Sequence, residues 1–336
     1  MVFAALAALL VPAWANAANS LQKGACFAGW QQELYSSQGA DESLEQLAAA
    51  GATHVAIVVT RYQENFDSTD IIQNESTPSD ESILHAAKKA RATGLKVMIK
   101  PHIDVINIGP ADNVCWRADI GFYDDGDWDK WFKGYKYFIL HYAELAAEAG
   151  ADIFCVGTEL SFAAQKTDRW IDLISEVRKV FPGKLVYAAN WDNYRNIGFW
   201  DALDYAGIDA YFPLSYRKNP SVTELVLGWE KWKNDLRNFY RAIKKPIIFT
   251  EIGYASTPDA AMTPWKGGET GNPDLEIQKR CYEAFFHTMW GCPWLKGAYF
   301  WRWAPSPYAG GENNRQFTPQ NKPALEVLKK YYSQQP

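Results

Sequence analysis

Past residue 20 the chain alternates between two hydrophobic patterns. Short apolar runs of strand length fall at 25–30, 54–61, 96–104, 153–159, 185–190, 206–211, 247–251 and 297–303. Runs that stay apolar at consecutive positions suit strands buried on both faces, as in a parallel sheet. Between them apolar residues return at helical spacing, over 41–50, 79–93, 128–149, 168–180, 222–243, 273–290 and 322–332. Ser79 and Asp80 supply a start signal, and Gly94 and Gly150 stand just past two predicted ends. The interval near 197–203 has room for a short helix only.

About eight strand–helix units follow one another without a composition break or a low-complexity linker. The pattern predicts an α/β fold, a single-domain (β/α)8 TIM barrel over residues 18–336. A doubly wound sheet is the rival, but no GxGxxG follows the first predicted strand.

Residues 1–17 read as a signal peptide. Val2 to Val11 is apolar and too short to span a bilayer, and Ala15-Asn16-Ala17 offers a small-x-small cleavage pattern. No Lys or Arg precedes the apolar run, a departure from the usual form. The expectation is a secreted or periplasmic monomer with no membrane association in the mature form. The formal net charge of -5, without a basic stripe, argues against nucleic acid and anionic membranes as partners. Cys26, Cys115, Cys155, Cys281 and Cys292 form no CxxC pair, so a zinc site is not expected. Cys26 and Cys155 fall in predicted strands and should act as small apolar residues. One pair among the other three is free to bond.

In a barrel, catalytic groups sit at the C-terminal ends of the strands. Those ends read Trp30; Arg61-Tyr62; His102 and Asp104; Glu159; Asn190-Trp191-Asp192; Asp209 and Tyr211; Glu251; Trp301 and Trp303. Burying an unpaired carboxylate costs several kcal/mol, so Glu251, closing the apolar run "PIIFTE", should emerge into a polar cleft. Glu159, closing "FCVGTE", should face it there. Two carboxylates about 5–5.5 Å apart suit retaining glycoside hydrolysis. The 15 Trp, 18 Tyr and 17 Phe are an unusual aromatic load; most should fill the core, and the rest are the flat rings with which a cleft stacks on sugars.

The motifs "KPHID", "VGTEL", "TEIGY" and "GAYFWRW", in this order, resemble the family 113 glycoside hydrolases, endo-β-1,4-mannanases of the 4/7 superfamily (clan GH-A). The resemblance runs from Gly29 to about Trp303. It implies Glu159 as acid/base, Glu251 as nucleophile and Tyr211 as hydrogen-bond partner of the nucleophile. Trp301 or Trp303 would floor the subsite beside the scissile bond. Thr158 stands where many clan members have Asn, which leaves Asn190 as a candidate for the sugar 2-hydroxyl.

The remaining candidates have plainer alternatives. His102 is a sugar donor or a core histidine; Asp104 orients His102 or binds sugar. Arg61 holds a carboxylate ionised or forms a surface salt bridge. Of Trp30, Trp191, Trp301 and Trp303, at least two should face sugar. Trp116, Phe122, Trp128 and Trp265 are placed to build further subsites. The acidic "DDGDWD" lacks the spacing of a calcium loop and reads as a helix cap. No metal or cofactor is expected, and the partner is a β-linked polysaccharide or oligosaccharide, most simply mannan. The rivals are another β-glycan (glucan, xylan, chitosan) and a non-catalytic carbohydrate-binding barrel. An aldolase or isomerase ranks below these, because Lys100 lies too deep in its strand.

Overall fold

The computed structural model describes residues 21–110, 114–268 and 272–334. The signal peptide expected over 1–17 lies outside them. Eight strands, β1 (Gln22–Phe27), β2 (His54–Gln63), β3 (Lys96–Val105), β4 (Ile153–Thr158), β5 (Lys184–Asn190), β6 (Tyr205–Asp209), β7 (Ile247–Ile252) and β8 (Leu295–Trp303), form a closed parallel barrel in chain order. Helices α1 (Gln38–Ala49), α2 (Asp80–Ala92), α3 (Asp125–Glu148) and α4 (Thr167–Val180) follow the first four strands. After β6, β7 and β8 come α5 (Val222–Ile243), α6 (Leu275–Thr288) and α7 (Pro323–Tyr332). Only two 3-10 turns, Tyr194–Asn196 and Trp200–Ala202, join β5 to β6, as the short interval there predicts.

Local signals set the helix starts. Ser79 caps α2 by accepting from Ser82 N–H, and Ser221 and Glu224 form a capping box on α5. The acidic "DDGDWD" is an N-cap as well, Asp124 accepting from Gly126 N–H at 2.7 Å.

Two apolar layers result. Cys26, Val58, Met98, Cys155, Val186 and Tyr299 fill the barrel interior. Between barrel and helices lies the larger layer, anchored by Trp131, Trp170 and Trp229. All five cysteines are free, so no pair forms among Cys115, Cys281 and Cys292.

β1 begins three residues before the predicted start. Gln22 and Lys23 are polar but find partners at the barrel floor. Tyr299 Oη donates to Gln22 Oε1 at 2.7 Å, and Lys23 Nζ donates to the Tyr332 carbonyl at 2.6 Å. No helix among the described residues is long and apolar enough to cross a membrane.

Candidate active site

Side chains alternate between the faces of a strand. On β3, Met98 points into the barrel and Ile99 toward the helices, so Lys100, His102 and Asp104 share the inner face and climb toward the mouth. On β7, Ile248 is inside and Phe249 outside, and plain alternation would turn Glu251 away from the mouth. A bulge prevents this. The β6–β7 register passes from Ile208↔Phe249 to Asp209↔Glu251, giving β7 one extra residue. A similar slip on β4 separates Cys155↔Val186 from Thr158↔Ala188. Bulges of this kind re-aim side chains beside active sites.

Glu159 follows the second bulge with a φ of 54°, a left-handed backbone that costs a non-glycine residue about 1 kcal/mol or more. Its surroundings hold it there. Glu159 N–H donates to the Ala188 carbonyl at 2.8 Å, and Leu160 N–H donates to Tyr187 Oη at 3.0 Å. Gly157 belongs to the same arrangement. A Cβ there would meet Trp170, Tyr135 and Tyr187 at 2.7–2.9 Å, so only glycine lets β4 pack against its outer layer.

Around Glu251 the donors converge. Tyr211 Oη donates to Oε2 at 2.6 Å, and Lys100 Nζ contacts Oε1. Lys100 also lies 3.3 Å from Asp209 Oδ2, and Thr250 donates to Asp209 Oδ1 at 2.7 Å. One ammonium cannot neutralise two carboxylates. Burial first, then the charge of Glu251, pushes the Asp209 carboxyl well above the usual range, which leaves the cation to Glu251. Burial opposes the charge on Lys100, but Asp209 and Glu251 outweigh it and hold its proton above the normal lysine range.

His102 is neutral: burial, then Lys100 and Arg117, push it well below the usual histidine value. An ammonium can only donate, so His102 Nε2, 3.2 Å from Lys100 Nζ, accepts and the ring proton sits on Nδ1. The ring stacks on Trp301, with centroids 6.0 Å apart and planes 10° from parallel.

Glu159 has a different environment. Arg117 donates to its Oε2 at 2.8 Å and divides its charge with Asp104, while Nε is tied to the Ile103 carbonyl at 2.9 Å. Burial raises the Glu159 carboxyl to about 7; Arg117 works against that rise and the charge of Glu251 adds to it.

Both glutamates open into one cleft of about 620 Å³. Trp30, His102, Asp104, Asn190, Trp191, Tyr211 and Trp301 line it as the strand ends predict. Asp104 pairs with Arg117 and not with His102. Trp116 and Trp265 also line the cleft, and Trp265 stacks on Trp191 with centroids 5.4 Å apart.

Four expectations are corrected. Arg61 turns outward, because its β3 partner is Ile103, and it lies over Tyr142 and Phe138 of α3 at 5.2 and 5.7 Å. Trp303 is 1% exposed and donates from Nε1 to the Ser43 carbonyl at 2.9 Å in the outer layer. The β1–β8 register, from Ala25↔Phe300 to Phe27↔Trp303, inserts a residue that separates Trp303 from the inward Trp301. Trp128 is buried edge-on against Trp131, and Phe122 packs on it at 5.0 Å, so neither builds a subsite.

Lys100 and Arg117 are site residues that strand-end reading does not select. Lys100 carries a usable signal, the alternation that places it on the face of His102. Arg117 sits in the loop between β3 and α3, where no period marks a residue.

The sequence profile of Glycoside Hydrolase Family 113 matches residues 27–322. A family 113 β-mannanase from Alicyclobacillus acidocaldarius, solved with ManMIm, shares 28% identity with a TM-score of 0.84, over 94% of this chain and 97% of that one. A second structure, a complex of a family 113 β-1,4-mannanase, shares 28% identity at a TM-score of 0.83, over 94% and 100%. A β-glucuronidase from Faecalibacterium prausnitzii, at 14% identity and a TM-score of 0.61 over 94% of this chain and 49% of that one, shares the fold. No curated protein matches the chain by sequence. The chain is a glycoside hydrolase, and it belongs to glycoside hydrolase family 113.

Proposed function

We propose that the enzyme cleaves β-1,4-linked mannan with retention, Glu251 acting as nucleophile and Glu159 as acid/base. The observation that carries this reading is the contrast between two carboxylates in one cleft. Glu251 is surrounded by donors that stabilise an anion, whereas burial holds Glu159 near 7, where it can give and take a proton at neutral pH.

In the first step a Glu251 oxygen bonds to the anomeric carbon while the glycosidic C–O bond breaks and Glu159 protonates the departing oxygen. Glu159, now ionised, then takes a proton from water, whose oxygen bonds to the same carbon and releases Glu251. Asn190 Oδ1 is occupied by Trp191 N–H at 2.9 Å, so its NH2 is what it offers to a sugar 2-hydroxyl. Mannan as substrate is supported by the mannanases at 28% identity. Export of the mature chain rests on the N-terminal apolar segment.

The test is reducing-sugar release from β-mannan, glucomannan, xylan, cellulose and chitosan, beside Glu159→Gln and Glu251→Gln. Release from mannan that both substitutions abolish is the expected result. Release from a different polymer overturns the substrate, and release that survives either substitution overturns the residue roles.

A further inference from the structure

Asp209 is not among the residues that line the cleft, and its side chain has no exposed area. Yet it is furnished as a buried anion would be. Thr250 Oγ1 stands 2.7 Å from Oδ1, and Lys100 Nζ stands 3.3 Å from Oδ2. A buried carboxylate needs a cation and hydrogen-bond donors, and both are in place. What keeps Asp209 neutral is burial and the charge of Glu251, which holds the same ammonium.

The other groups that face Asp209 offer no second cation. Burial keeps the thiols of Cys26 on β1 and Cys155 on β4 un-ionised. It does the same for the phenols of Tyr187 on β5 and Tyr211 beyond β6. Glu159, beyond β4, is engaged by Arg117, which also meets Asp104. Among the described residues this leaves Lys100 between two carboxyls, Asp209 and Glu251.

The proposed reaction upsets that arrangement. As the bond from Glu251 to the anomeric carbon forms, the electron pair of the glycosidic bond passes to the departing oxygen, which takes the Glu159 proton. Glu251 is then an uncharged ester. Its repulsion of Asp209 is gone, and so is the counter-ion of Lys100. The new negative charge, on Glu159, is held by Arg117. A fully buried ammonium would stand unpaired unless Asp209 ionises.

We propose that Asp209 is a reserve counter-ion for Lys100: neutral while Glu251 is ionised, it releases its proton to solvent when Glu251 becomes the sugar ester, and it takes one back when water frees Glu251. It acts through Lys100 as a positioning residue and does not touch the sugar. His102, which accepts from Lys100 at 3.2 Å and lines the cleft, puts the cluster one side chain from solvent. The inference rests on the reading of Glu251 as nucleophile.

The test uses Glu159→Gln, which has no titrating group at that position and lacks the base that frees the sugar. A dinitrophenyl β-glycoside of the disaccharide unit of mannan, or of whichever β-glycan the polymer panel shows to be cleaved, should load Glu251 without an acid, because dinitrophenolate leaves as its anion. Mass spectrometry counts and locates the label, and an indicator dye in weakly buffered neutral solution counts the protons. About one proton per labelled enzyme is expected from Glu159→Gln, and none when Asp209→Asn is added. The Asn side chain fits with Oδ1 toward Lys100 and NH2 toward Thr250, and thermal melts verify folding. Infrared difference spectra of Glu159→Gln carrying isotope-labelled aspartate need no second variant and should lose a protonated-carboxyl band on loading.

Equal release from both proteins, or loading without loss of that band, overturns the reserve; equal release of a proton would place it on another group, Lys100 first. Enzyme that carries no sugar on Glu251 means instead that the nucleophile has been misassigned, and the reserve falls with it.

Discussion

Arg117 donates to Glu159 Oε2 at 2.8 Å and meets Asp104 with the other arm of the same guanidinium. The strength of its pull on Glu159 therefore depends on Asp104. A general acid must be protonated for the first step, so kcat/KM should fall as pH rises through about 7.

Asp104→Asn gives Arg117 wholly to Glu159, lowers the carboxyl, and should move that alkaline limb to lower pH. Arg117→Gln removes the opposing charge and should move the limb to higher pH. The pH profile of kcat/KM for the two variants checks this. Shifts in the same direction would show that Glu159 is not the group being titrated.

The glutamates were the readable part of the site, because a charge at the end of a buried run has few places to go. The barrel was readable for a similar reason: eight apolar runs separated by helical stretches leave few other closures. Whether a residue faces in or out depended on details that the pattern does not carry. Arg61 and Trp303 stand at strand ends like Trp301, yet the β2–β3 register and a bulge in β8 send them to the outer layer. A lysine as deep as Lys100 reads as out of reach until two buried carboxylates are placed beside it. Arg117 needs the folded loop before it can be found at all.

Lys100 has no exposed side-chain area and separates Asp209 from Glu251. Lys100→Met should leave the buried Glu251 carboxylate without its cation and cost about 3–5 kcal/mol of stability, the usual penalty for breaking a buried pair. Adding Glu251→Gln removes the charge that the ammonium offsets and should restore part of the loss. Denaturant unfolding of the single and double variants gives the comparison. A double variant no more stable than the single would mean that the ammonium acts by packing and not by charge.

Tyr211 tests the other side of the nucleophile. Its 2.6 Å bond to Glu251 Oε2 is a hydrogen bond to a charged group, worth about 1.5–3 kcal/mol. Tyr211→Phe should reduce the rate of the chemical step by about 10- to 100-fold. Pre-steady-state measurement with an activated aryl glycoside separates formation of the glycosyl-enzyme from its breakdown. A rate within a factor of two of wild type would remove Tyr211 from the machinery.

Lys322 provides a test of stability away from the cleft. Its Nζ donates to Ser256 Oγ at 2.8 Å and to the Gln316 carbonyl at 2.6 Å, and burial lowers its pKa to about 7. A lysine in the unfolded chain keeps its proton to about pH 10.4. Between those values the unfolded state binds more protons than the folded one, so this residue makes stability rise with pH from about 7 to about 10. Below 7 it is charged in both states, and its unfavourable burial is at full size and constant. Lys322→Met removes the titration while the other ionisable groups cancel in the comparison. The wild-type Tm should therefore gain on the variant's as pH rises from 7 to 10 and keep a constant offset between pH 5 and 6. A difference that stays flat across the whole range would mean that Lys322 keeps its charge in the folded protein.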